Sequence, residues 1–224
     1  MRVAAIQTVS TTDVGRNLER AARLIEQAAS SGARLAALPE YFCLMGRRDT
    51  DKLAVAETPG DGPIQAFLAH AAAAHGVWLI GGTLPLRVPG REDRVRNACL
   101  VHGPDGRLAA RYDKIHLFAF DDGREQHDEG RVLQAGAEPV AVDVAVAETR
   151  WRLGLSICYD VRFPELYRAL VPCDLLSVPA AFTYTTGRAH WELLLRARAV
   201  ENQAYVIAPA QGGTHENGRR TWGH

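Results

Sequence analysis

Net charge is what this sequence most clearly lacks. Its 26 Lys and Arg are balanced by 26 Asp and Glu, for a formal charge of zero. Such a chain carries no electrostatic case for nucleic acid or for an anionic membrane. No apolar stretch approaches the roughly 20 residues that span a bilayer. The opening Met1-Arg2-Val3-Ala4-Ala5-Ile6-Gln7 turns polar too soon for a signal peptide and reads as a first strand. Cysteine is sparse: Cys43, Cys99, Cys158 and Cys173 lie far apart, and no CxxC occurs. Cys99 and His102 are close enough to share a metal, but no second pair completes a tetrahedral site. His70 and His75 are five residues apart in a helical stretch and do not share a face. Gly81-Gly82 lacks the spacing and the lysine of a phosphate loop. Metal: none, and free thiols in a reducing cytoplasm, are the expectations.

What remains is a chain of alternating strand and helix patterns. At 224 residues it can bury one substantial core, so residues 1–224 are read as a single domain. Strands are predicted at Val3–Gln7, Leu35–Leu38, Val77–Gly82, Leu175–Val178 and Tyr205–Ala208. Helices are predicted at Asn17–Ser30, Pro63–Ala74, Phe163–Leu170 and Gly187–Gln203. Gly103-Pro104-Asp105-Gly106 reads as a hairpin turn between Ala98–His102 and Arg107–Tyr112. Val140–Val146 and Trp151–Ile157 form a second strand pair. Strands separated by helices, several of them apolar on both faces, indicate α/β architecture, and the hairpins make the sheets mixed. The polar segment Phe120–Arg131, with Asp121, Asp122, Glu125, Asp128 and Glu129, reads as a solvated loop long enough to carry function.

Three predicted strand ends share a property: each apolar run is followed by a reactive residue. Glu40 follows Leu38-Pro39, Lys114 follows Tyr112-Asp113, and Cys158 follows Ile157. The carboxyl ends of strands are where α/β sheets bind ligands. An isolated cysteine is more often a space-filling core thiol, and an isolated Glu or Lys is usually a surface charge. Together, a carboxylate, an ammonium and a thiol form a set for acyl transfer. Sulfur attacks a carbonyl carbon to give a thioester. Glu40 is the candidate base, with burial and a nearby thiolate raising its proton affinity. Lys114 offsets the negative charge and, with the Tyr159 backbone N–H, faces the oxyanion. This chemistry requires no cofactor.

At these residues the chain resembles the nitrilase superfamily of carbon–nitrogen hydrolases. The matching blocks are Ala37-Leu38-Pro39-Glu40-Tyr41-Phe42, then Tyr112-Asp113-Lys114-Ile115-His116-Leu117-Phe118, then Cys158-Tyr159-Asp160-Val161-Arg162-Phe163-Pro164-Glu165. Ala181–Gly187, His190-Trp191 and Leu194–Gln203 agree as a fourth block. The resemblance implies Glu40 as general base, Lys114 as catalytic lysine and Cys158 as nucleophile. It adds a second glutamate after the lysine block, best matched by Glu129, with Glu125 as its competitor. The implied fold is a four-layer αββα sandwich, usually assembled as a homodimer or larger homo-oligomer through helices beside the active site. The implied branch is the Nit-type amidases, which act on ω-amides of 2-oxo acids such as deaminated glutathione or 2-oxoglutaramate, with ammonia leaving.

Such small-molecule amides are anionic and call for a cation. Arg162 is the candidate, against a structural ion pair with Asp160 or Glu165. Phe118, Phe182 and Tyr184 are candidate pocket walls, and His116 and His190 are read as structural donors. The family continues past Thr221-Trp222-Gly223-His224, so a C-terminal truncation of roughly 40 or more residues is expected. Alternative readings are an N-carbamoyl amide hydrolase, a nitrilase, a silent family member that binds a small molecule or partner protein, and a redox-sensing thiol.

Overall fold

In the computed structural model, residues 1–121, 123 and 126–223 are described. The first half of the chain runs β1 (Val3–Ala5), α1 (Val14–Ser30), β2 (Leu35–Ala37), α2 (Asp51–Ala54), α3 (Pro63–His75), β3 (Trp78–Ile80), β4 (Leu84–Val88), β5 (Arg91–His102) and β6 (Leu108–Asp113). The second runs β7 (Ala119–Asp121), β8 (Gln126–Asp128), β9 (Val140–Val146), β10 (Thr149–Leu155), α4 (Pro164–Leu170), β11 (Leu175–Ser177), α5 (Tyr184–Asn202), β12 (Tyr205–Ile207), β13 (Gly213–Thr214) and β14 (Arg220–Thr221).

Two mixed sheets form the middle of the fold. In the first, β1, β2 and β3 are parallel, while β5 runs antiparallel to β3, β4 and β6. In the second, β10, β11 and β12 are parallel and β9 pairs antiparallel with β10. Side-chain alternation in the first sheet explains the layering. Ala36, Leu79 and Leu100 point to one face, where they bury Ala21 and Ile25 of α1 and Leu68 and Ala72 of α3. Leu35, Ala37, Ile80 and Val101 point to the other and share a core with Val144, Leu153 and Leu155 of the second sheet. That core continues into Leu166 and Leu170 of α4 and Trp191 of α5. The result is the expected αββα stack.

Local chemistry sets the element ends. Asp13 caps α1 by accepting from Arg16 N–H at 2.9 Å. Pro63 opens α3, and Gly76 closes it in the left-handed conformation. Gly103 and Gly106 close the β5–β6 hairpin as the turn signal requires.

The polar segment 120–131 departs from expectation. It is not a plain loop: β7 and β8 pair antiparallel through Ala119–Asp128, Phe120–His127 and Asp121–Gln126, and a 3-10 turn follows at Glu129–Arg131. Strands of three residues are too short to carry an alternation from which to read them. Helix α5 begins at Tyr184 rather than Gly187, with Thr183 at its N-cap position. Among the described residues, no helix is long and apolar enough to cross a membrane.

Candidate active site

The two sheets bring their strand ends together at one edge. Glu40 lies three residues past β2, Lys114 directly past β6, and Cys158 three residues past β10. All three are removed from solvent, at 1%, 1% and 7% exposure. Burying an acid and an ammonium is tolerated only with partners, and each has them.

Backbone construction fixes each side chain. For Glu40, the loop is pinned where Tyr41 N–H donates to Thr83 Oγ1 at 2.9 Å and Gln211 Nε2 donates to the Glu40 carbonyl at 3.1 Å. Gly82 passes so close, with φ at +57°, that a Cβ there would strike the Pro39 carbonyl. Lys114 is held by its own N–H on Asn97 O at 3.0 Å and by Gly136 N–H on its carbonyl at 2.8 Å. Cys158 has φ at +49°, the left-handed region that a residue with a Cβ rarely adopts. It opens a 3-10 turn, Cys158–Arg162, and its N–H donates to Pro179 O at 2.9 Å.

Asp160 holds that strained turn. One carboxylate oxygen accepts from Ile157 N–H at 2.8 Å and from Tyr112 O–H at 2.7 Å. The other accepts from His116 N–H at 3.0 Å and lies 2.7 Å from His116 Nδ1. The lysine block and the cysteine turn are thereby tied together. His116 also stacks on Phe163 at 3.6 Å between ring centres, which agrees with a structural role.

The charged cluster is fully partnered. Glu40 Oε1 accepts from Lys114 Nζ and Asn97 Nδ2, both at 2.9 Å, and Oε2 accepts from Ala181 N–H at 2.9 Å. Lys114 Nζ also donates to Glu129, at 2.8 Å to Oε2 and 3.1 Å to Oε1. Glu129 accepts further from Tyr41 O–H at 2.7 Å and from Phe118 N–H at 2.8 Å.

These contacts set the proton affinities. Burial pushes the Cys158 thiol well up, and the Glu40 carboxylate adds to this beyond what Lys114 takes back. It is therefore a protonated thiol at rest. Burial alone lowers Lys114, but Glu129 and Glu40 outweigh it and raise the ammonium above its usual range. Burial raises Glu129, but Lys114 and the donors around it outweigh this and hold the carboxyl below its usual value. Burial and Glu129 raise the Tyr41 phenol, keeping it a donor.

A narrow hollow, with an empty volume of about 260 Å³ and open to solvent, lies over Cys158 and is lined by Glu40, Phe118, Glu129, Phe182 and Arg219 among others. The carbon–nitrogen hydrolase signature matches residues 2–224. The chain belongs to the carbon–nitrogen hydrolase family. This hydrolase is 42% identical to a deaminated glutathione amidase of Synechocystis over 225 residues, covering 99% of this chain and 81% of that protein. It is 38% identical to the human omega-amidase NIT2, covering all of this chain and 79% of the relative. The crystal structure of the Caenorhabditis elegans NitFhit protein superposes with a TM-score of 0.88 at 38% identity, covering 99% of this chain and 54% of that one. Yeast Nit3 follows at 0.82 and 30%, covering 98% and 78%.

The hydrolase thus gathers Glu40, Lys114, Glu129 and Cys158 at one point. Glu125 and Asp122 lie outside the described residues. Phe118 and Phe182 line the hollow. Tyr159 packs edge-on against Phe118 and Phe163. Arg162 lies over the Tyr159 and Phe182 rings and faces His190 Nδ1 at 3.2 Å. Asp160, offered as its ion-pair partner, is instead committed to His116, Tyr112 and Ile157. Tyr184 lines a wider neighbouring cavity.

Sequence reasoning missed Asn97 and the Ala181 N–H as ligands of Glu40, and Arg219 as a wall. Tyr41 sits next to Glu40 inside the first block, and that adjacency was its one signal.

Proposed function

We propose that Glu40, Lys114, Glu129 and Cys158 carry amide hydrolysis through a thioester, on ω-amides of 2-oxo acids. The observation that carries this reading is the convergence of Glu40, Glu129 and Cys158 on one hollow, with the Glu40 carboxylate gripped by Lys114 at 2.9 Å. A thiol held protonated needs a base beside it, and Glu40 lines the same hollow. As Cys158 Sγ attacks the amide carbon, its proton passes to Glu40 and the carbonyl electron pair moves onto oxygen. Lys114 has three protons for two carboxylates; with one shared across both Glu129 oxygens, one N–H is left for the oxyanion. The Tyr159 N–H belongs to the first turn of the 3-10 segment, where donors lack partners within the turn. Glu40 then gives its proton to nitrogen and the C–N bond breaks. Ammonia leaves from a primary amide, and an amine from a secondary one. Water, deprotonated by Glu40, attacks the thioester, and the thiol is restored.

Glu129 acts as a positioning residue that fixes Lys114. Phe118 and Phe182 wall the acyl chain, Arg162 supplies positive charge beside them, and Tyr184 stands at the outer cavity. Two relatives, named deaminated glutathione amidase and omega-amidase, support the choice of substrate class. The reading takes residues 1–224 as one hydrolase unit. Its four cysteines are free, which suits a reducing cytoplasm. Exposed Leu193 and Val200 on α5 support a homodimer.

Assay of the purified protein against 2-oxoglutaramate, deaminated glutathione, an N-carbamoyl amide and a nitrile tests the reading. Turnover of either 2-oxo acid amide, abolished in Cys158→Ala, is expected. Equal turnover by wild type and variant, or turnover of the carbamoyl compound or nitrile alone, overturns it.

A further inference from the structure

The hollow over Cys158 opens beside a second space with an empty volume of about 1260 Å³, and the two share Thr183 and Arg219. The larger space has a one-sided electrostatic wall. Among its described lining residues are Arg47, Arg48, Arg219 and Arg220, against a single carboxylate, Asp49. Asp49 already engages Lys52 at 3.4 Å.

Arg219 is the inner member and is poorly satisfied. Its Nη2 reaches the Ala181 carbonyl at 3.4 Å, a weak contact, and its buried Nε has no hydrogen-bond partner among the described residues. A buried guanidinium N–H without an acceptor costs free energy unless something else supplies one. The arginines are also held in place. Asn217 Nδ2 donates to Gly46 O at 2.6 Å and its side-chain oxygen accepts Arg219 N–H at 2.9 Å, tying the loop of Arg47 and Arg48 to that of Arg219 and Arg220. Arg220 is stacked over the Tyr184 ring at 3.9 Å, which fixes its plane and leaves its charge available.

We propose that this arginine-walled vestibule is a second anion site for substrate. Arg219 takes the carboxylate of the acyl portion, and Arg47, Arg48 and Arg220 receive a carboxylate carried on the leaving amine. The class of substrate so favoured is an elongated secondary amide with a carboxylate at each end, deaminated glutathione being one, over a short primary amide such as 2-oxoglutaramate. The proposal rests on the amidase reading above and sharpens it.

Two measurements keep the two ideas apart. The first is kcat/KM on both amides for wild type and for the double variant Arg47→Ala/Arg48→Ala. The double variant is expected to lose about tenfold more on deaminated glutathione than on 2-oxoglutaramate, chiefly in KM, the scale of two partly exposed charge pairs. Added salt should narrow the wild-type preference in the same direction. Equal losses on the two amides overturn the proposal.

The second is calorimetric titration of Cys158→Ala protein with intact deaminated glutathione, which reads binding without chemistry. Weaker binding when Arg47 and Arg48 are also replaced, or when Arg219→Gln is introduced, supports the anion site. Binding that ignores all three arginines, or no binding at all, overturns it. Arginine-dependent binding with no wild-type turnover supports the anion site and strikes the hydrolase reading alone.

Discussion

Glu129 grips Lys114 through both carboxylate oxygens, at 2.8 and 3.1 Å, while Tyr41 O–H and Phe118 N–H hold Glu129 itself. The ammonium is thus bonded both to Glu129 and to the proposed base, Glu40. A chain of this kind transmits small displacements directly to the reacting atoms, because every link is short.

Replacing that grip should cost rate before fold. Glu129→Gln keeps the shape but lets Lys114 drift, and an ångström of misplacement costs on the order of a hundredfold in kcat. Tyr41→Phe removes one outer bond and should cost less. Steady-state kinetics beside circular dichroism separates the effects. An unchanged kcat in Glu129→Gln would deny Glu129 the positioning role.

The same carboxylate predicts a pH dependence of stability. Its folded value lies below its usual one. It therefore stabilises the fold above its unfolded value of about 4.3, and that contribution is lost as pH falls through the lower folded value. Urea unfolding at pH 7 and at progressively lower pH should show wild type losing more stability on acidification than Glu129→Gln. Parallel losses would contradict the assignment.

Lys114 matters to the fold as well as the chemistry. Lys114→Ala leaves Glu40 and Glu129 buried without their cation. Breaking a buried pair in this way destabilises by about 3–5 kcal/mol. Denaturant unfolding should show that loss, together with loss of turnover. A variant as stable as wild type would mean that the two carboxylates find other compensation.

Asp160 is the brace of the cysteine turn. Asp160→Asn turns one acceptor oxygen into a donor, opposite either Ile157 N–H and Tyr112 O–H or His116 N–H, so about 1–3 kcal/mol of stability should go for each buried group left unpaired. Because the strained φ of Cys158 depends on that brace, kcat should fall while Tyr112→Phe, which removes one bond, falls less. Normal kcat in Asp160→Asn would show that the turn holds without it.

Much of this was legible in the chain, for identifiable reasons. Glu40 and Cys158 each follow buried apolar strand residues, while Lys114 follows the half-exposed Leu108–Asp113 strand and stands out by its place in the Tyr112–Phe118 block. Glu129 was reachable only through family resemblance, since nothing in Asp128-Glu129-Gly130 itself marks a buried carboxylate. The β7–β8 pairing was illegible because each strand is only three residues long. Asn97 is one residue of a long strand, and only its tertiary placement aims it at Glu40. Arg219 sits in a polar run, Glu216-Asn217-Gly218-Arg219-Arg220, that reads as solvent-exposed until the fold carries it to Thr183 and the hollow.

The most direct test of Glu40 as the base for Cys158 is rapid-quench mass spectrometry after mixing enzyme with 2-oxoglutaramate. Wild type should show the acyl mass on the peptide containing Cys158 within the first turnover. Glu40→Gln should show acylation slower by on the order of 10²–10⁴-fold. Acylation of Glu40→Gln at the wild-type rate would contradict the account.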